Sequence, residues 1–193
     1  MSLEILPRPT AVSPHLAPVE SRYTPLFCLA LLTTACALAS FAFACATPFA
    51  AFAVVAAAML PLGPAVAVVT GAWLVNQMIG FGALHYPVDA TTMLWGFVIG
   101  LATVAATSVS VLVLRIMRRS VAVLALAAAL IGAYCAYELV LFAATPFLGG
   151  TGDFTAAIVA RLGLLSALWL IGLVAVCEVF RLVNPLRRGR KAA

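Results

Sequence analysis

Apolar residues run almost unbroken along this chain, in six blocks set apart by short interruptions. The blocks cover residues 25–46, 49–60, 65–84, 93–116, 121–144 and 154–183. The interruptions are Thr47-Pro48, Pro61-Leu62-Gly63-Pro64, the loop His85-Tyr86-Pro87-Val88-Asp89, an arginine cluster at Arg115, Arg118 and Arg119, Thr145-Pro146, and Gly149-Gly150-Thr151-Gly152. A helix needs roughly 20 apolar residues to cross a hydrocarbon core of about 30 Å, and five of the blocks supply that. The second, at 49–60, falls below the ~17 residues at which spans begin, so its length alone suits a re-entrant segment as well as a crossing.

Composition gives the blocks their solvent. Hydrophobic residues make up 65% of the 193 positions and charged residues 9%, against roughly a quarter charged in soluble domains. Water could not hold such a surface. The pattern predicts an all-α integral membrane protein, one bundle of six transmembrane helices over residues 25–183. Residues 1–23 are polar and carry Pro7, Pro9, Pro14 and Pro18. They lack the basic start and adjoining apolar stretch of a signal peptide, and residues 1–24 are expected to form a disordered tail.

Charge sets the expected orientation. Apart from Arg161, the basic residues lie in the N-terminal tail, in the Arg115–Arg119 cluster, or from Arg181 to the end. Basic residues flanking spans favour the cytoplasm. If 49–60 crosses, the N-terminal tail, the arginine cluster and the basic tail at 184–193 all fall on that side. Six spans with both termini cytoplasmic in a cell inner membrane is therefore the expected topology. The net charge of +5 follows from this arrangement, and no basic run interleaved with aromatics points to nucleic acid. Cys28, Cys36, Cys45, Cys135 and Cys177 lie within apolar blocks without metal-ligand spacing and read as small packing residues. No metal or cofactor is expected. No P-loop, HExxH or GxSxG is present, so energy must come from elsewhere and an enzyme has little to stand on.

Ionisable and amide side chains inside spans need a reason, because a charge there costs about 2.5–3.5 kcal/mol on insertion scales. Asn76-Gln77, Glu138 just after Tyr134 and Tyr137, and Arg161 all fall in the outer third of their spans at 1.5 Å rise per residue. Glu138 and Arg161 lie on consecutive antiparallel helices, which makes an ion pair between them the expected arrangement. Tyr134 and Glu138 share a helix face at i and i+4. One outcome is a set of polar bonds that merely locks the bundle. The other is a pocket open to the outside, with His85, Tyr86, Asp89 and Asp153 in the loops above it. His85 reads either as an interfacial anchor or as a ligand to a metal centre in a bound molecule.

Six spans with both ends inside, a small-residue first helix (Ala35, Ala39, Ala42, Ala46) and a polar outer pocket: this layout resembles the substrate-binding S-component of energy-coupling-factor vitamin transporters. The resemblance implies that Ala35 and Ala39 dock on an energy-coupling membrane subunit that works with ATPases. It also implies that Asn76, Gln77, His85, Tyr86, Asp89, Tyr134, Glu138 and Arg161 bind a vitamin-like substrate captured from outside. The stretch from Trp73 to Trp95 is most similar to the cobalamin-type members, making cobalamin the leading ligand. Solitary cobalamin members offer cobalt a cysteine at the outer end of the third span; here His85 and Cys45 are the nearest candidates. The alternative is a non-catalytic structural subunit of a larger membrane complex.

Overall fold

A computed structural model describes Leu16, residues 18–43 and residues 46–183. Among these residues all regular secondary structure is helical, with no strand. Helix α1 covers Thr24–Phe43, α2 Phe49–Met59, α3 Leu62–Met78, α4 Ala90–Ile116, α5 Ala122–Leu148 and α6 Ala156–Val183. A π-helical turn, Ile79–Ala83, extends α3, and a 3₁₀ turn, Thr151–Asp153, precedes α6. With that extension five helices are long and apolar enough to cross a membrane, and α2 is not. Their outward faces carry large apolar side chains such as Leu26, Phe41, Phe97, Ile131, Leu139, Leu168 and Ile171. A surface this apolar belongs in lipid, and the protein is a multi-pass membrane bundle.

The short segment is the centre of the bundle. Ten of the eleven residues of α2 are buried, and it packs on α3, α4, α5 and α6. At about 1.5 Å per residue it is roughly 16 Å long, half a hydrocarbon core. It nonetheless carries the chain from one end of the bundle toward the other. Phe49 lies 6.4 Å from the Tyr137 ring and Phe52 lies 6.2 Å from Trp169. At the far end the Leu16 amide donates to the Ala58 carbonyl at 3.2 Å. Leu16 and Pro18 are both buried. The residues just before α1 are thus packed beneath α2, where the composition suggested a tail free of structure. Residues 1–15, Ala17, Cys45 and the basic tail at 184–193 lie outside the described residues.

Around α2 the other helices form an incomplete ring. Helix α1 packs on α3, α3 on α4, and α4 on α5. Helix α6 leans on α2 and meets α1 through Phe27 and Phe180, whose rings are 5.0 Å apart. Although consecutive, α5 and α6 touch sparingly, which leaves a cleft between them. The α1–α3 seam is close because small residues line it. Cys36 donates its thiol to the Ala72 carbonyl at 3.1 Å. Ala35 and Ala39, 5% and 0% exposed, lie inside the bundle. They cannot form the outer docking face that the resemblance implied, because the small-residue stripe serves the molecule's own helix packing.

Two helix ends differ from the punctuation of the sequence. Helix α5 runs through Thr145-Pro146 to Leu148. Pro146 leaves the Phe142 carbonyl without its usual amide donor, and the Thr145 hydroxyl takes its place at 2.8 Å. Helix α3 does not stop in a simple cap. Its π turn lets the Leu84 amide reach the Ile79 carbonyl at 2.9 Å. The chain then folds Tyr86 back onto Gly80, whose missing Cβ would lie 2.8 Å from that ring.

Candidate functional site

A cavity of about 420 Å³ opens at the end of the bundle opposite Arg115, Arg118 and Arg119. Its floor is the start of α2, Phe49 and Ala50, with Thr47 and Pro48 just before it. Helix α4 contributes Thr92, Trp95 and Ile99, and α5 contributes Tyr134, Tyr137, Glu138 and Leu141. Phe154 and the first turns of α6 close the remaining side. The floor is sunk well below the outer ends of α3 to α5 because α2 is so short. The well above it is what the missing length of α2 leaves. Where α5 and α6 diverge, two contacts bridge the cleft. The Tyr134 hydroxyl donates to the Val159 carbonyl at 2.6 Å, and the Phe142 and Phe154 rings lie 5.4 Å apart.

The lining is aromatic and apolar, with one ionisable acid. Glu138 faces the cavity, and its Oε1 is the one buried side-chain polar atom among the described residues that has no hydrogen-bond partner. The expected ion pair with Arg161 does not form. Ion pairs among the described residues join Arg22 to Glu20 and Arg181 to Glu178. Arg161 lies on the exposed side of α6 and outside the cavity lining. Consecutive antiparallel helices bring two positions to similar depth, but their rotation decides whether side chains meet, and here it separates them.

The remaining residues singled out in the sequence have other partners. Asn76 donates to the Ser40 hydroxyl at 2.9 Å and to the Thr47 hydroxyl at 3.0 Å, and it accepts from Gln77 at 3.2 Å. It ties α1, the α1–α2 connection and α3 together directly behind the cavity wall at Thr47. Gln77 fills the space that Gly96 leaves on α4, and Trp73 donates to the Gly96 carbonyl at 2.9 Å. These are interhelical bonds of the kind that orders membrane bundles. His85 is exposed, with a backbone φ of 54° in the turn after the π segment. Of the eight predicted binding residues, Tyr134 and Glu138 line the cavity, whereas Asn76, Gln77, His85, Tyr86, Asp89 and Arg161 do not.

Asp89 is the N-cap of α4. Its carboxylate accepts from the Thr92 amide and from the Thr92 hydroxyl, each at 2.9 Å. The Thr92 amide, then its hydroxyl, holds the carboxyl below the usual carboxylate range. A depressed value means that the cap is present above that range and is lost as pH falls through the folded-state value. Asp89→Ala is expected to fray the first turn of α4, seen as faster amide exchange at Thr92 and Met93. Unchanged exchange would remove the cap from this account.

Thr47, Phe49, Trp95, Phe154 and Ser166 line the cavity but were not among the predicted site residues. Thr47 and Ser166 were the legible ones, as buried hydroxyls within or beside apolar runs. The aromatics carried no signal that separates a cavity wall from a lipid-facing side chain. Comparison with models of protein families, with curated proteins and with solved structures gives no match to this chain.

Proposed function

We propose that this protein is the substrate-capturing subunit of a membrane uptake system. It takes a vitamin-like small molecule into the cavity from the outer side and passes it inward with a partner that supplies the energy. The observation that carries this reading is the cavity itself. It is concave, mostly apolar, carries a few converging polar groups, and its volume lies within the usual ligand-site range of about 300–1,000 Å³. Its mouth lies away from the described arginines at 115, 118, 119 and 181, which favour the cytoplasmic side. In this reading α2 returns the chain, both termini are cytoplasmic, and the membrane is a cell's inner (cytoplasmic) membrane.

The chemistry of the lining speaks for a smaller ligand than cobalamin. No imidazole or thiol belongs to the lining, so a cobalt centre would find no nitrogen or sulfur side-chain donor among the described residues there. A corrinoid with its nucleotide arm is also far larger than the space. The cleft between α5 and α6 gives the bundle a seam along which the cavity can open without disturbing the α3–α4–α5 wall.

The test is a thermal-stability panel of water-soluble vitamins and related solutes on the purified protein. Leu162→Trp, which fills the cavity from α6, serves as the control. Saturating ligand is expected to raise the midpoint of the parent by several degrees, since binding at about 100 times Kd adds about 2.7 kcal/mol. The variant should fold and show no such rise. A panel without effect on either protein would favour the structural-subunit alternative.

A further inference from the structure

We infer that the ligand of this cavity is an organic monocation, an amine or quaternary ammonium joined to a flat apolar body; the inference rests on the capture reading above and names its substrate class. Glu138 supplies the charge that selects it. Its carboxyl lies in the wall of a mostly apolar cavity, with Tyr134 as its one neighbouring hydrogen-bond partner and with Oε1 bonded to nothing. No lysine, arginine or histidine shares the lining, and Arg161 is turned away. An acid inside a membrane bundle with no counter-charge among the described residues is costly, and a bound cation supplies that charge.

The other walls suit the same ligand. Trp95, Tyr134, Tyr137, Phe49 and Phe154 surround the space, and aromatic faces attract a cation through their negative π surface while burying an apolar body. An anion finds less. The start of α2 points into the cavity, but three of its first four amides have partners. Phe49 donates to the Thr47 carbonyl at 2.9 Å, and Ala51 and Phe52 donate to the Pro48 carbonyl at 3.0 and 3.2 Å. At the start of α6 the Thr155 hydroxyl and carbonyl take the amides of Ile158 and Val159 at 3.4 and 3.0 Å. Carboxylate chemistry therefore dominates at the wall. A neutral ligand would leave Glu138 as it is.

The experiment uses the full chain in nanodiscs of zwitterionic lipid and two probes that differ in charge. One is 1-pyrenemethylammonium and the other is 1-pyrenemethanol, with tryptophan-to-pyrene energy transfer as the readout and empty discs as the blank. The ammonium is expected to bind about tenfold more tightly than the alcohol. Glu138→Gln should bring the ammonium to within about threefold of the alcohol while leaving the alcohol unchanged, and Glu138→Asp should keep the preference, since only the charge is retained. Equal binding of both probes, indifferent to Glu138→Gln, overturns the cation assignment and leaves the capture reading standing. Saturable binding of neither probe also overturns it. The capture reading is then decided by the stability panel and Leu162→Trp, which use different compounds.

Discussion

Phe52→Ala is expected to lower the unfolding free energy by about 3 kcal/mol, near the low end of the range for removing a buried phenylalanine. Phe52 is 0% exposed on the central helix, edge-on to Trp169 at 6.2 Å and to Phe49 at 5.9 Å. Lipid tails are as apolar as the protein interior, so little transfer energy is lost. The cost comes from the cavity and from forfeited dispersion contacts. Because α2 touches all five of the other helices, the void should loosen the whole bundle. Reversible unfolding in mixed micelles measures it. A change below 1 kcal/mol would mean that α2 is a passenger in the bundle.

The second large effect is expected at Gly100. A Cβ there would lie 2.8 Å from the Trp73 ring, and the same ring donates to the Gly96 carbonyl at 2.9 Å one turn away. Gly100→Val must push α3 off α4 or turn the indole out. Overpacking costs about 1–3 kcal/mol, and loss of the interhelical bond adds about 0.6 kcal/mol. Gly172→Ala is the contrast. It too lies inside a long helix, but nothing lies within 4 Å of its would-be Cβ, so it should stabilise by about 0.5–1 kcal/mol through helix propensity. The same sign for both would show that the α3–α4 contact is looser than these distances imply.

Much of the fold was legible because a membrane span is written in length. The apolar blocks and their breaks locate all six helices to within a few residues, and Asp89 before Ala90-Thr91-Thr92 is a readable cap. The exceptions have local causes. Proline read as a stop at 146, but a threonine hydroxyl one residue earlier satisfies the carbonyl it orphans. The α3 end hides a π turn because Gly80 and Gly82 read equally well as ordinary small residues. The shortness of α2 was visible, whereas its central position was not, since burial in protein and burial in lipid select the same side chains.

The site was legible in proportion to its charge. Glu138 stands out in any reading of a 27-residue apolar helix, and Tyr134 follows from it at i+4 spacing. Arg161 stood out as well but faces outward, because α6 is apolar on every side and its rotation leaves no trace in sequence. Asn76 looked like a pocket residue. Its partners, Ser40 and Thr47, lie 36 and 29 residues away, beyond the reach of periodicity. Tyr134 and Glu138 fall beside a cavity at the end of the bundle away from Arg115, Arg118 and Arg119, whereas Ala35 and Ala39, which the resemblance implied for docking, are internal.

The most direct test of the central claim is a small-molecule mass spectrum of the protein purified from membranes in mild detergent and then denatured, beside Leu162→Trp treated identically. The account predicts an organic molecule released in near-stoichiometric amount from the parent and absent from the folded variant. Equal release from both, or release of nothing but bulk lipid from either, would contradict it.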